Sequence, residues 1–315
     1  MDIGMTDEQE QLADAERAWL SRHDPIAKVR QALDHAPIRI DDDAVAHAEE
    51  SGLLDLLTTE VGGTHMDLAV CAEAHGYAGS SLPIADLAVA RWVLERVGVE
   101  SDALTGVAQA AETTTRPAPM AADMAQFVVV RDESVAVVTN PVLAELTTLD
   151  LTRSWARLTL DAPEWRPAPP GTSERVRAAL ALHRGFDAIG AAARLLEMTV
   201  EYAGQREQFG APIGSFQAVK HHCADMAVGV EAGRATLWAA AASLDADAAR
   251  SSHLVSAAVA YAKNAASEVA GTALQVHGGI GFTWEHDLHL FLRRIRVDEA
   301  FDGSVAEHRA ALVPA

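Results

Sequence analysis

Cysteine is scarce in this 315-residue chain. Cys71 and Cys223 are its only two, far apart and each within an apolar helical pattern, which favours reduced core thiols over a disulfide or a thiolate metal site. Basic charge is also short. Lysine and arginine total 25, with Lys28, Lys220 and Lys263 the only lysines, against 45 aspartates and glutamates, for a formal net charge of −20. A surface of that sign repels polyanions, so nucleic acid is not expected as a partner. No run of about 18 apolar residues occurs, and no membrane insertion is expected. Acidic Asp2, Asp7, Glu8 and Glu10 stand where a secretory leader would be basic, and a cytoplasmic location is expected. A G-x-G-x-x-G after a strand and an alternation of strands with helices are both missing, which disfavours a Rossmann domain. His221, His222, His286, His289 and His308 lack neighbouring carboxylates or thiols at metal-ligand spacing, so no metal is expected.

What remains is an Ala- and Leu-rich globular chain, 49% hydrophobic with 5% aromatics, long enough for two or three packed units. Residues 1–105 read as helices. Thr6 and Gln9 form a cap-and-return pair, and further helices are expected at Asp41–Ser51, Asp67–Ala78 and Ile84–Val97. Residues 106–170 read as a small β unit with a proline-rich linker. Its strands are Phe127–Val130, Val135–Val138 and Arg157–Leu160, and Pro163, Pro167, Pro169, Pro170 and Gly171 form the linker. Residues 171–315 carry three long stripes of apolar residues at helical spacing. They run from Leu182 through Phe186, Val200 and Ala203, from Phe216 through Val219, Cys223 and Met226 to Leu237, and from Val255 to Ala273. With a final helix beginning at Trp284 and Glu285, the economical architecture is a four-helix bundle, so the fold class is mainly α with a small β unit.

Two stretches carry chemistry. Tyr202-Ala-Gly-Gln-Arg-Glu-Gln-Phe-Gly-Ala-Pro-Ile-Gly-Ser-Phe-Gln217 places Arg206, Gln208 and an aromatic ring in the bend between two helical patterns, where a guanidinium fork can hold a pyrophosphate. Gln275-Val-His-Gly-Gly-Ile-Gly-Phe-Thr-Trp-Glu285 offers bare backbone at Gly278, Gly279 and Gly281, which an anionic cofactor can approach closely. An ordinary glycine stop after a helix would need one glycine, not three. His277, inside this turn, reads as a hydrogen-bonded structural residue.

Both stretches resemble the C-terminal flavin-binding motifs of the acyl-CoA dehydrogenase family, and the likeness runs from about Glu174 to the end. A weaker one covers Met5–Leu12, Gly52-Leu-Leu-Asp-Leu-Leu57 and Glu60-Val-Gly-Gly63. The resemblance implies an N-terminal helical domain, a reduced middle β domain and a C-terminal four-helix bundle. It also implies that Arg206, Gln208, Phe209, Gln217, Gln275, Gly278 and Gly279 contact the pyrophosphate and adenosine end of an FAD seated mainly on a neighbouring subunit. Phe301-Asp-Gly-Ser304 stands where the family's dehydrogenases carry Tyr-Glu-Gly-Thr, whose glutamate removes the α-proton of an acyl-CoA thioester. The carboxylate here is Asp302, shorter by one methylene, a displacement that costs about a hundredfold in rate when a base must reach its proton. The alternative base position on the first bundle helix is occupied by Leu180.

The middle segment departs from the family. In place of its Thr-Glu-Pro-x-x-Gly-Ser-Asp-like loop there is only Ala111-Glu-Thr-Thr-Thr-Arg-Pro117, with Val138-Thr-Asn140 a faint echo of the strand that lies against the flavin ring. The resemblance therefore favours a short subunit of an α2β2 acyl-CoA dehydrogenase, similar to the smaller partner in enzymes acting on steroid side-chain CoA thioesters. Such a subunit serves an FAD held with a companion chain that passes electrons to a separate acceptor. Two alternatives stay open: a homomeric dehydrogenase using Asp302 as base, and a flavin-free scaffold.

Overall fold

The computed structural model describes residues 4–23, 25–33, 38–248 and 250–313. The chain opens with five helices: α1 (Asp7–His23), α2 (Pro25–Leu33), α3 (Asp42–Glu50), α4 (His65–Ala78) and α5 (Ile84–Arg96). The Thr6–Gln9 pair caps α1 in both directions. The Gln9 amide donates to Thr6 Oγ1 at 3.2 Å, and the Thr6 amide donates to Gln9 Oε1 at 3.0 Å. Thr64 and Asp67 do the same for α4, three residues upstream of the start expected from sequence periodicity. Cys71 is fully buried on α4.

An eight-stranded sheet follows, from β1 (Thr105–Ala111), β2 (Thr114–Thr115), β3 (Ala118–Pro119), β4 (Gln126–Arg131), β5 (Ser134–Thr139), β6 (Val142–Leu146), β7 (Trp155–Thr159) and β8 (Arg166–Pro167). The order is β3-β7-β2-β1-β4-β5-β8, with β6 also on β7. Only β1 and β4 run parallel, and their apolar residues Val107, Phe127, Val128 and Val130 are buried. The proline-dense stretch is not all linker. Arg166 and Pro167 pair with Val135 and Ser134 at the sheet's edge, where a missing N–H is tolerated.

The bundle consists of α6 (Thr172–Gln205), α7 (Gln217–Asp245), α8 (Ser251–His277) and α9 (Leu288–Ala300), with a short α10 (Val305–Ala310) behind them. A two-residue hairpin, β9 (Glu207–Gln208) with β10 (Ala211–Pro212), fills the bend between α6 and α7. The third apolar stripe is buried throughout, whereas the first two are not. Val200 is half exposed, Phe216 is exposed, and Val219 and Cys223 are only partly covered, so the α6–α7 corner presents apolar surface that helical periodicity assigned to the core. Trp284 and Glu285 lie in a turn and not at a helix start. α9 begins three residues later, at Leu288.

Helices α4 and α6 cross at glycines. A β-carbon on Gly76 would lie 2.1 Å from the Asp187 carbonyl oxygen, and one on Gly190 would lie 2.1 Å from that of Glu73. Backbone meets backbone there, which leaves no gap for a side chain or a ligand between the two helices. Gly76→Ala therefore forces the helices apart and is expected to lower the unfolding free energy by about 3 kcal/mol. Gly271→Ala on α8, whose β-carbon would meet nothing within 4 Å, is expected to raise it by up to about 1 kcal/mol. Urea denaturation of the two variants checks the contrast.

Candidate functional site

The C-terminal end of α6 positions Arg206. Its amide closes the last helical turn on the Tyr202 carbonyl at 2.8 Å, and its own carbonyl accepts from the Ile213 amide at 2.7 Å, which fixes the backbone on both sides of the hairpin. The guanidinium itself makes no hydrogen bond or ion pair among the described residues. Phe209 and Gly210 form the hairpin tip at φ 53° and 81°, the positive-φ pair that a two-residue turn demands. Glycine accepts this freely, and Phe209 does so at some cost while its ring stands 95% exposed, edge-on to Phe216 at 6.2 Å.

Across from Arg206 lies the end of α8. The three glycines there have three different reasons. Gly278 caps α8 at φ 60°, ψ −136°, a conformation open only to glycine. A β-carbon on Gly279 would meet nothing within 4 Å, so its face is free. Gly281 corrects the expectation of bare backbone: it is buried, and a β-carbon would sit 2.9 Å from Leu274 Cδ1, so packing inside the turn explains it. Tyr202, Arg206, Gln208, Ile213, Val276, His277, Gly279 and Ile280 together line an open cleft of ≈ 430 Å³.

The structure thus brings Arg206, Gln208 and Gly279 together, with Gly278 adjoining and Phe209 beyond the tip. Gln275 lies one turn back and faces a neighbouring groove between α7 and α8 with Asp225 and Thr272. Gln217, the first residue of α7, is exposed and lines neither. Tyr202 and His277 were not singled out as cleft walls by sequence, although the four-residue spacing of Tyr202 and Arg206 puts them on one helix face. Their rings stack at 4.6 Å, and His277 Nδ1 donates to the Ala273 carbonyl at 2.8 Å. Burial, then the neighbouring His286, hold the imidazole below its usual pKa despite that bond, so it is neutral. An unpaired guanidinium, a side-chain amide and an open glycine face suit the anionic end of a dinucleotide.

Asp302 lies elsewhere. Arg184 precedes Arg206 on α6 by 22 residues, about 33 Å of helix. Its Nε donates to Asp302 Oδ2 at 2.9 Å, and its Nη2 donates to both oxygens of Asp86 at 3.2 Å. The Asp302 side chain is only 7% exposed and its backbone sits at φ 55°. Lys263, fully buried on α8, donates to the carbonyls of Phe301 at 2.6 Å and Gly303 at 2.8 Å, clamping the same loop. Behind this lie two more buried arginines. Arg153 donates to Asp150 at 2.8 Å and Asp298 at 2.7 Å. Arg294 holds both oxygens of Asp187, at 2.8 Å and 2.6 Å.

Four cations therefore face five aspartates. Burial pushes Asp298 well above the ordinary carboxylate range, and Asp187 beside it adds to that push. Asp187 is held far down, because Arg294 and Arg153 outweigh its own burial. The cavity beside it, lined by Leu180, Asp86, Arg153, Arg184 and Asp187 among others, measures only ≈ 10 Å³, room for one water. Asp302 is thus locked in an ion pair, with no space for a substrate on the Arg184 side. Sequence reasoning missed Arg184, 118 residues from Asp302, because nothing local marks it.

Comparison with known proteins fits this geometry. The family profile "Acyl-CoA dehydrogenase, C-terminal domain" matches residues 174–313. Acyl-CoA dehydrogenase IpdE2 of Mycolicibacterium smegmatis is 32% identical over 300 residues, 92% of this chain and 93% of that protein. With IpdE2 of Mycobacterium tuberculosis identity is 44% over 149 residues, and the matched stretch spans less than half of that protein, 43%. Two solved structures share the fold. The ChsE4-ChsE5 complex from Mycobacterium tuberculosis gives a TM-score of 0.86 at 22% identity, covering 100% of both chains. A variant of the steroid acyl-CoA dehydrogenase Tcur3481-Tcur3483 gives 0.85 at 22% identity, covering 97% and 96%.

The clamp on the Asp302 loop has a measurable pH signature. Burial pulls Lys263 down to about 8 from 10.5, against the attraction of Asp302 and Asp298. The folded lysine releases its proton near pH 8, whereas the unfolded one keeps it to 10.5, so between those values the unfolded state binds more protons and folding stability rises with pH. Relative to Lys263→Met, the wild-type chain is expected to gain about 3 kcal/mol across that window and nothing below it. Urea denaturation of both proteins at several pH values reads the difference.

Proposed function

The chain belongs to the acyl-CoA dehydrogenase family of FAD-dependent oxidoreductases acting on CH–CH bonds, and within that family we propose that it is the non-catalytic subunit of a heteromeric enzyme, gripping the nucleotide end of an FAD whose ring, substrate and base lie on a companion subunit. The observation that carries this reading is an asymmetry between two ends of one helix. The Arg206 guanidinium at the end of α6 is exposed and without a partner among the described residues, whereas the Asp302 carboxylate beside the middle of α6 is buried and paired with Arg184.

Arg206 would hold the pyrophosphate through paired charge-assisted hydrogen bonds, and Gln208 and the Gly278–Gly279 backbone would supply further polar contact. Phe209, held out at the hairpin tip, would pack against the adenosine, while Gln217 and Gln275 would flank the site at the start of α7 and the end of α8. FAD, when bound, supplies the acceptor for the β-hydride of an acyl-CoA thioester. Val200, Phe216, Ile280, Phe282 and Trp284, all exposed around the same corner, form the apolar surface that a companion subunit covers. The ChsE4-ChsE5 complex, whose name joins two different chains, supports a companion subunit, and the assembly we propose is α2β2. The steroid acyl-CoA dehydrogenase supports a steroid-derived acyl-CoA as substrate; that the thioester is on the side chain and that electrons leave to an electron-transfer acceptor are part of the proposal.

Co-expression with the companion subunit tests this. The isolated chain is expected to purify without stoichiometric FAD, and the complex to carry FAD that Arg206→Ala weakens by about tenfold or more, the loss of a charge-assisted pair. Asp302→Asn is expected to leave turnover of the complex largely intact. Full turnover by the isolated chain, abolished by Asp302→Asn, would instead establish the homomeric reading. A colourless complex would leave a scaffold.

A further inference from the structure

The glycine turn after α8 is continuous with that helix at one end, and at the other it is tied to a residue from the start of the chain. Within the turn the bonds are local. The Thr283 amide and hydroxyl donate to the Ile280 carbonyl at 3.1 Å and 3.0 Å, and Gly281 packs on Leu274. These contacts give the turn its shape but do not fix it against the rest of the protein. Arg30, on α2, does that. Its Nη1 donates to the Trp284 carbonyl at 2.8 Å, and its Nε donates to the Asp287 carboxylate in an ion pair. One guanidinium therefore grips both ends of the segment that joins the turn to α9, from 254 and 257 residues away.

The footing of Arg30 is itself packed. Ile26 and Arg30 are four residues apart on one face of α2. A β-carbon on Gly79, at the end of α4, would lie 2.7 Å from Ile26 Cδ1 and 3.3 Å from Phe291 Cε1 on α9, and Val29 is fully buried. Helix α2 is thus wedged where α4 and α9 meet. The charge of Arg30 also serves the start of α9. Burial holds His286 below its usual pKa against the pull of Asp287, and Arg30 adds to the lowering. The neutral ring is needed there, because His286 Nδ1 accepts the Leu288 amide at 3.1 Å, and an imidazolium has no lone pair to offer.

We infer that Arg30 is a positioning residue for the dinucleotide cleft: it sets where the Gly278–Gly279 backbone stands, although it does not line the cleft itself. This role presupposes the flavin reading above. A group that holds a ligand must be kept to within about 0.5 Å of its productive place, and a turn left free at one end is not. Lysine is a poor substitute, since a single ammonium lacks the fixed fork that reaches a carbonyl and a carboxylate at once.

FAD dissociation from the complex with the companion subunit, followed by the rise in flavin fluorescence on release, tests this. Arg30→Met keeps the apolar stem and removes the donors, and is expected to weaken FAD retention about tenfold, with Arg30→Lys losing about threefold. Two backgrounds separate positioning from general destabilisation. Gly279→Ala covers the open glycine face with a methyl group that meets nothing in the chain itself. In that background the Arg30→Met loss is expected to shrink below about twofold, whereas in the Arg206→Ala background it stays near tenfold. An equal loss in both backgrounds overturns the role of Arg30, and so does wild-type FAD affinity in Arg30→Met beside a weakened Arg206→Ala; the flavin reading survives either result. Wild-type affinity in Arg206→Ala overturns the flavin reading and this role with it. Gel filtration confirms that each complex is assembled. Should Arg30→Met fail to assemble, Arg30→Lys is carried through the same two backgrounds, and persistence of its full loss in Gly279→Ala overturns the role.

Discussion

Arg184 joins parts of the chain that share no local signal. From the middle of α6 it reaches Asp86 at the start of α5 and Asp302 in the loop after α9, and its guanidinium lies 5.1 Å from the ring of buried Trp155 on β7. The N-terminal helices, the sheet and the bundle therefore meet around one delocalised charge. Such an arrangement is costly to desolvate and becomes favourable only when every carboxylate is placed. Once placed, it is intolerant of change, because removing one partner strands the others. Burial raises the Asp298 carboxyl, and Asp187 adds to that push, in the dry interior where five carboxyl groups face four cations.

The same cluster is the physical basis of the non-catalytic role proposed above. A base must be free to reach a proton, and its protonation state must be able to change during the reaction. Under the non-catalytic role proposed above, Asp302 lacks that reach. Its backbone is held at a left-handed φ by Lys263 through the flanking carbonyls, and its carboxylate is committed to Arg184. At the far end of α6 the situation reverses, with a cation that has no partner and aromatic rings that face outward.

Much of this was legible in the sequence. The Thr6–Gln9 cap, the strands around Phe127 and Val135 and the long stripe from Val255 to Ala273 all report local physics, in which periodicity and capping decide the outcome. The stripes through Val200 and Phe216 misled, because apolar residues meant for another surface have the same periodicity as those meant for the core. Trp284 and Glu285 misled in a different way: a 3-10 segment from Gly278 to Phe282 and a turn delay the helix, and neither has a strong sequence mark. Arg206, Gln208 and Gly279 could be placed at one site because they flank helix ends that the bundle brings together. Arg184, Arg153 and Arg294 could not, since a buried arginine looks like a surface arginine until its distant partners are known.

Helix α6 is one uninterrupted rod that carries both the anchored guanidinium and the free one. A rod pinned at Arg184 acts as a lever on its tip: over about 33 Å, a tilt of about 5° would carry Arg206 sideways by about 3 Å, the length of a hydrogen bond. The rigidity of the buried charges is therefore also an aiming device, fixing a surface group to within a hydrogen-bond length from a point far inside the protein.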